Sequence, residues 1–67
     1  MKDSTPIKYQ ILQDGELLHE DEREDLGWVR HDVEKWTGCF CSMFCIKQAF
    51  ESKTPHNLDD EYTVQFL

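Results

Sequence analysis

Six side chains carry the donor atoms of a soft-metal site: Cys39, Cys41, Cys45, His19, His31 and His56. Three thiolates and one imidazole would suffice for a tetrahedral zinc centre. The spacing argues against that set. The chain has no C-x-x-C pair, the unit on which ribbon and finger sites are built. On one continuous helix Cys41 and Cys45 share a face, while Cys39 lies about 200° from Cys41. The thiols are therefore read as small packing residues, a role that free cysteine takes readily. The expectation is no metal, no cofactor and no intramolecular disulfide. A redox pair of Cys39 and Cys41 lacks what lowers a thiol pKa, since Lys35 and the helix start are the only help among aromatic neighbours.

The carboxylates are the other chemical resource. Acid–base catalysis needs a cleft that separates the pKa values of a pair, whereas these acids cluster in charged, solvated segments. The motifs of nucleotide, phosphate, zinc-protease or nucleophile-elbow sites are missing from the sequence. A chain of 67 residues buries only about 60% of its unfolded surface. That leaves little room beside the core for a substrate cavity of about 300–1,000 Å³. An enzyme is not expected.

What the acids do offer is a charged surface. Asp14, Glu16, Glu20, Asp21, Glu22, Glu24 and Asp25 place seven carboxylates in residues 14–25, and Asp59, Asp60 and Glu61 add three. The formal charge is −7 and the pI about 4.7. Such a chain is repelled by nucleic acids and anionic membranes and attracted to basic surfaces. If residues 20–25 are extended, alternate side chains lie roughly 6–7 Å apart along one face. That spacing is of the order of successive phosphates on a nucleic-acid strand. The bland reading is a solvated charged segment that keeps a small protein soluble.

Local patterns supply the elements that would carry these groups. Residues 7–11 alternate apolar and polar side chains, the period of a half-buried strand. Asp14-Gly15 suits a type I′ turn, and residues 16–19 return as a second strand. A two-residue turn pairs Gln13 with Glu16, Leu12 with Leu17 and Ile11 with Leu18. Ile7, Tyr9, Ile11 and Leu18 then share the core face, and Leu12 and Leu17 meet on the other. Residues 20–25 read as a loop or loose helical turn, and residues 26–31 as a strand or the lead into a helix.

Asp32 is the expected N-cap of one long amphipathic helix from Val33 to about Ser52, with Glu34 in its first turn. Its large-residue stripe is Val33, Trp36, Phe40, Met43, Phe44 and Phe50. Its small-residue side is Gly38, Cys41, Ser42, Cys45 and Ala49, with Gly38 marking a kink or close contact. Trp36, Phe40, Phe44 and Phe50 are expected to be among the most buried side chains. The middle of the helix reads as buried on both sides, by a partner subunit or a wrapping sheet. Thr54-Pro55-His56-Asn57 reads as a helix stop and loop. Tyr62, Val64 and Phe66 alternate in a terminal strand.

The expectation is one α+β domain over residues 1–67, with residues 1–6 a flexible N-terminus. Its order is ββαβ: a hairpin, a long helix and a C-terminal strand, with a three-stranded antiparallel sheet packed on the helix. Hydrophobic residues at 39%, with 12% aromatic, exceed what a disordered acidic tail carries. The N-terminus has no apolar signal segment, and the longest uncharged run, residues 37–46, is short of the roughly 20 residues of a membrane span. With free thiols, this points to the cytoplasm.

The function expected is that of a non-catalytic acidic interaction protein. It would occupy the basic surface of a nucleic-acid-binding protein through the ten carboxylates named above, contacting neither nucleic acid nor membrane itself. Phage- or plasmid-encoded inhibitors of host defence or transcription machinery are proteins of this size and charge. The alternatives are a structural module or homodimer associating through its apolar helix, and a zinc-stabilised mini-domain.

Overall fold

Alternation in the first strands carries through into a four-stranded antiparallel sheet. In the computed structural model, which describes residues 6–67, β1 (Ile7–Gln13) and β2 (Glu16–Arg23) form a hairpin. Two helices follow, α1 (Leu26–Thr37) and α2 (Met43–Ser52), then β3 (His56–Leu58) and β4 (Tyr62–Phe66). The sheet order is β2-β1-β4-β3, so β2 is an edge strand. Most of the N-terminal segment expected to be flexible, residues 1–5, lies outside the described residues. No helix among the described residues is long and apolar enough to cross a membrane.

The fold is α+β as expected, but it has four strands rather than three and two helices rather than one. The terminal strand is where the alternation put it, with Val64 and Phe66 buried and Tyr62 half-buried. The added strand, β3, falls within the stretch read as a loop. It has three residues and exists through its pairing of His56, Asn57 and Leu58 with Val64, Thr63 and Tyr62.

The turn at Asp14-Gly15 is as expected, both residues having positive φ (54° and 84°). The pairing beyond it differs. Leu12 faces Leu17 and Gln13 faces Glu16, but Ile11 faces His19 rather than Leu18, with a bulge between. The bulge has a clear reason. Without it, Glu20 would stand opposite Tyr9 and Glu22 opposite Ile7, on the face that becomes the core. A one-residue shift sends every later side chain to the other face. Asp21 then faces Tyr9, and Glu20 and Glu22 face Gln10 and Lys8 on the open side. Residues 20–23 are accordingly strand, not loop or helical turn.

The long helix is two because of its own sequence. Gly38 is the C-cap of α1 with φ 75°, its N–H bonded to Glu34 O at 2.8 Å. Left-handed backbone of this kind is where glycine ends helices. Ser42 caps α2, its hydroxyl accepting from Cys45 N–H at 3.3 Å. The first helix also starts earlier than Asp32: its N-cap is Asp25, whose carboxylate accepts from Trp28 N–H at 3.1 Å. Residues 26–31 are therefore helix, and Glu34 lies in the third turn, ion-paired with Arg30 at 3.1 Å.

This break resets the helical phase and moves the core. Tyr9, Ile11, Val29, Val33, Ile46 and Val64 are fully buried. Trp36, Phe40 and Phe44, expected in the centre, are 43%, 72% and 70% exposed, and only Phe50 of the four packs against the core, edge-on to Phe66. The small-residue side is the one that faces inward: Cys41 of the linker and Ala49 of α2 are buried with Ile46, while Phe40 of the linker and Met43 and Phe44 of α2 stay open. Two-sided burial of the helix is thus not seen among the described residues.

Candidate functional site

Charge is segregated by element. Residues 6–25 and 56–67, which build the sheet and its turns, hold ten carboxylates and two cations, Lys8 and Arg23. Residues 26–55, which build the helices, hold Asp32, Glu34 and Glu51 against Arg30, Lys35, Lys47 and Lys53. The sheet portion therefore carries −8 and the helical portion +1.

Within the sheet portion eight of the ten acids fall into two groups. The turn groups, 45 residues apart in sequence, come together: the amide of Asp14 donates to Glu61 O at 2.8 Å, and Gln13 Nε2 donates to Glu61 Oε2 at 2.6 Å. Asp14, Glu16, Asp59 and Asp60 are exposed around this junction, with Glu61 half-buried. They form one acidic end of the sheet.

The second group runs along β2 away from that end and one residue past it. Glu20, Glu22 and Glu24 are exposed, and strand geometry spaces the first two about 6.6 Å apart. Their neighbours on the open face are Gln10, which donates to Glu20 at 3.4 Å, and Lys8, 3.9 Å from Glu22. Both members of the Lys8–Glu22 pair are more than half exposed, so it neutralises little. Leu12 and Leu17 meet on this open face by the turn, as expected, and Leu17 is exposed.

The remaining two acids belong to neither group. Asp21 faces the helices, 3.7 Å from Arg23 and 3.8 Å from His19, and Asp25 spends its carboxylate on the N-terminus of α1.

Behind the edge strand lies a buried ionic network that the sequence did not reveal. Asp32 is 4% exposed and accepts from Tyr9 Oη at 2.5 Å and from Arg23 Nε at 2.7 Å. Burial pushes its carboxyl upward, but hydrogen bonds from Arg23 and Tyr9 outweigh this and hold it below the usual carboxylate range. Burial, followed by the bond to Asp32, raises the Tyr9 phenol. His19 stacks on Trp36 at 4.4 Å, closing β2 onto α1. This cluster fixes the edge strand rather than offering a reactive group.

Among the described residues, two trios have metal-ligand donor types. His19, Asp21 and Asp32 form one, but the Arg23 guanidinium already occupies Asp32. Cys41, Cys45 and His56 form the other. Cys39 is apart from it, its Sγ directed at Thr37 O. Burial, then the neighbouring Cys45, pushes the Cys41 thiol up to about 11.

Comparison with protein-family models, curated proteins and solved structures finds no match. The reading of the surface therefore rests on its own charge and geometry.

Proposed function

We propose that the protein is a non-catalytic interaction protein whose acidic edge strand and acidic turn end occupy a basic, nucleic-acid-binding surface of another protein. The observation that carries this is the segregation of charge, −8 on the sheet portion against +1 on the helical portion. A solubilising charge needs no such arrangement; a steering surface does. Glu20 and Glu22 project from an edge strand tied down by the Asp32 network, with Glu24 just past its end, so little ordering cost is added on binding. Edge acids also discourage strand addition, but Asp14, Asp59 and Asp60 lie in the turns outside the strands. Inhibition of a phage or plasmid host's defence or transcription machinery is the setting that fits a small acidic mimic.

The test is capture from the native host with mass-spectrometric identification. Proteins that bind nucleic acid are retained by the parent and released by competing duplex DNA or RNA. They are not retained by a Glu20→Lys, Glu22→Lys, Glu24→Lys variant.

A second reading is favoured by one observation: Phe40, Met43 and Phe44 form an open apolar group on the linker and first turn of α2. Association of two copies through it would make the chain a dimer. Concentration-dependent mass, lost in Phe40→Ser with Phe44→Ser, would support it.

A further inference from the structure

Cys41, Cys45 and His56 arrive from three successive pieces of chain: the linker between the helices, the first turn of α2 and the first residue of β3. Their ligand atoms all lie within 4.8 Å of one another, and Cys41 Sγ is 3.3 Å from His56 Nε2. Zinc holds sulfur at about 2.3 Å and imidazole nitrogen at about 2.0–2.1 Å, so tetrahedral ligand atoms stand roughly 3.5–3.8 Å apart. Shifts of about an ångström would close the three onto one ion.

The local structure favours this arrangement. Ser42 caps α2 through its side chain and accepts from Ile46 N–H at 3.1 Å through its carbonyl. The turn joining Cys41 to Cys45 is thereby set by a helix start, not by a free loop. Cys45, three residues after the cap, lies in the first turn of α2. His56 pairs across the strands with buried Val64, which turns its ring toward the helices. Beside the trio is a concavity of about 280 Å³, where Gln48, Ser52, Thr54 and Pro55 surround Cys45 and His56. It supplies an entry path and room for a further ligand.

We infer that Cys41, Cys45 and His56 are three ligands of a zinc ion whose fourth position faces this concavity and is filled by water. Each ligating thiol gives its proton to solvent, so two thiolates and a neutral imidazole make a centre of zero net charge, suited to a partly buried position. The ion ties the linker and α2 to β3, the shortest strand, in a chain small enough to need such a staple. This departs from the expectation that the cysteines only pack. It uses none of the ten acidic residues, so metal loading and partner binding are separable.

Cobalt(II) titrated into the reduced full-length chain tests it. The inference predicts one equivalent bound with thiolate-to-cobalt charge-transfer absorption and tetrahedral visible bands, displaced by one equivalent of zinc. Cys45→Ala and His56→Ala, at half-buried positions, keep the parent's far-UV circular dichroism and lose the tetrahedral bands, whereas Cys39→Ala keeps them. Zinc at about 100 times its Kd raises the parent's Tm by roughly 10 °C or more and leaves the Tm of His56→Ala unchanged. An octahedral cobalt spectrum without charge transfer overturns the inference. So do bands that survive both Cys45→Ala and His56→Ala, or that vanish in Cys39→Ala.

Discussion

The sheet side and the helical side of this molecule put their unusual residues to opposite uses. The sheet gathers ten carboxylates against two cations and turns the free ones outward along an edge strand and one end. The helices are nearly charge-balanced and leave aromatic side chains in the open, Phe40 and Phe44 most of all. The difference teaches that chemical prominence and structural burden are separate here. The core is made by modest residues, Ile11, Val29, Val33, Ile46 and Val64 with Tyr9, and the conspicuous ones are left for the surface.

The comparison breaks most sharply on the helical side, between the buried and open faces of α2. Ile46→Ala should cost about 2–5 kcal/mol, a large part of the roughly 3–10 kcal/mol available to a chain of this length. Phe44→Ala, on the open face of the same helix, should stay within about 0.5 kcal/mol. Urea unfolding of both variants measures the contrast. Equal losses would mean that the apolar face is covered in solution.

The edge strand can be tested through its buried anchor. Asp32→Ala leaves the Tyr9 hydroxyl without its partner and frees Arg23, which is partly exposed, so a loss of about 2–4 kcal/mol is expected. The same network sets a pH dependence. The Asp32 carboxyl is held below its unfolded value, so the stability it contributes is fully present above that value, near pH 4. It is lost as pH falls through the lower folded value. Acid unfolding of the parent should therefore show a loss below about pH 4 that Asp32→Asn lacks.

Smaller effects sharpen the division among the acids. Asp25→Ala removes the α1 cap and should cost about 0.5–2 kcal/mol, whereas Lys8→Ala, which breaks only the exposed pair with Glu22, should cost under about 1 kcal/mol. Thermal melts separate these two.

Much of this was legible where the signal was local. Asp14-Gly15 carried its turn type, and the alternation at Tyr62, Val64 and Phe66 carried the last strand. Gly38 and Ser42 were also local stop and start signals, but a long uncharged run masked them, and extending one helical phase across the break put Phe40 and Phe44 inside. The bulge at Leu18 was not visible as a local motif, though its cause was: carboxylates at 20 and 22 cannot face a core. Three-residue β3, the Tyr9–Asp32–Arg23 network and the meeting of His56 with Cys41 are products of tertiary pairing, for which sequence offers no period. Of the candidate site, the identity of the acids was readable. Their division into exposed, paired and capping groups was not.

The central claim is that the sheet's free carboxylates bind a basic partner. The most direct measurement is the Kd of the captured partner against salt concentration, for the parent and for the Glu20→Lys, Glu22→Lys, Glu24→Lys variant. Exposed charges are screened beyond roughly 8–10 Å at physiological ionic strength, so the parent's affinity should fall steadily as salt rises, and the variant should bind weakly at every concentration. Affinity unchanged by salt and by the three reversals, but lost in Phe40→Ser with Phe44→Ser, would contradict the account and move the binding surface to the helices.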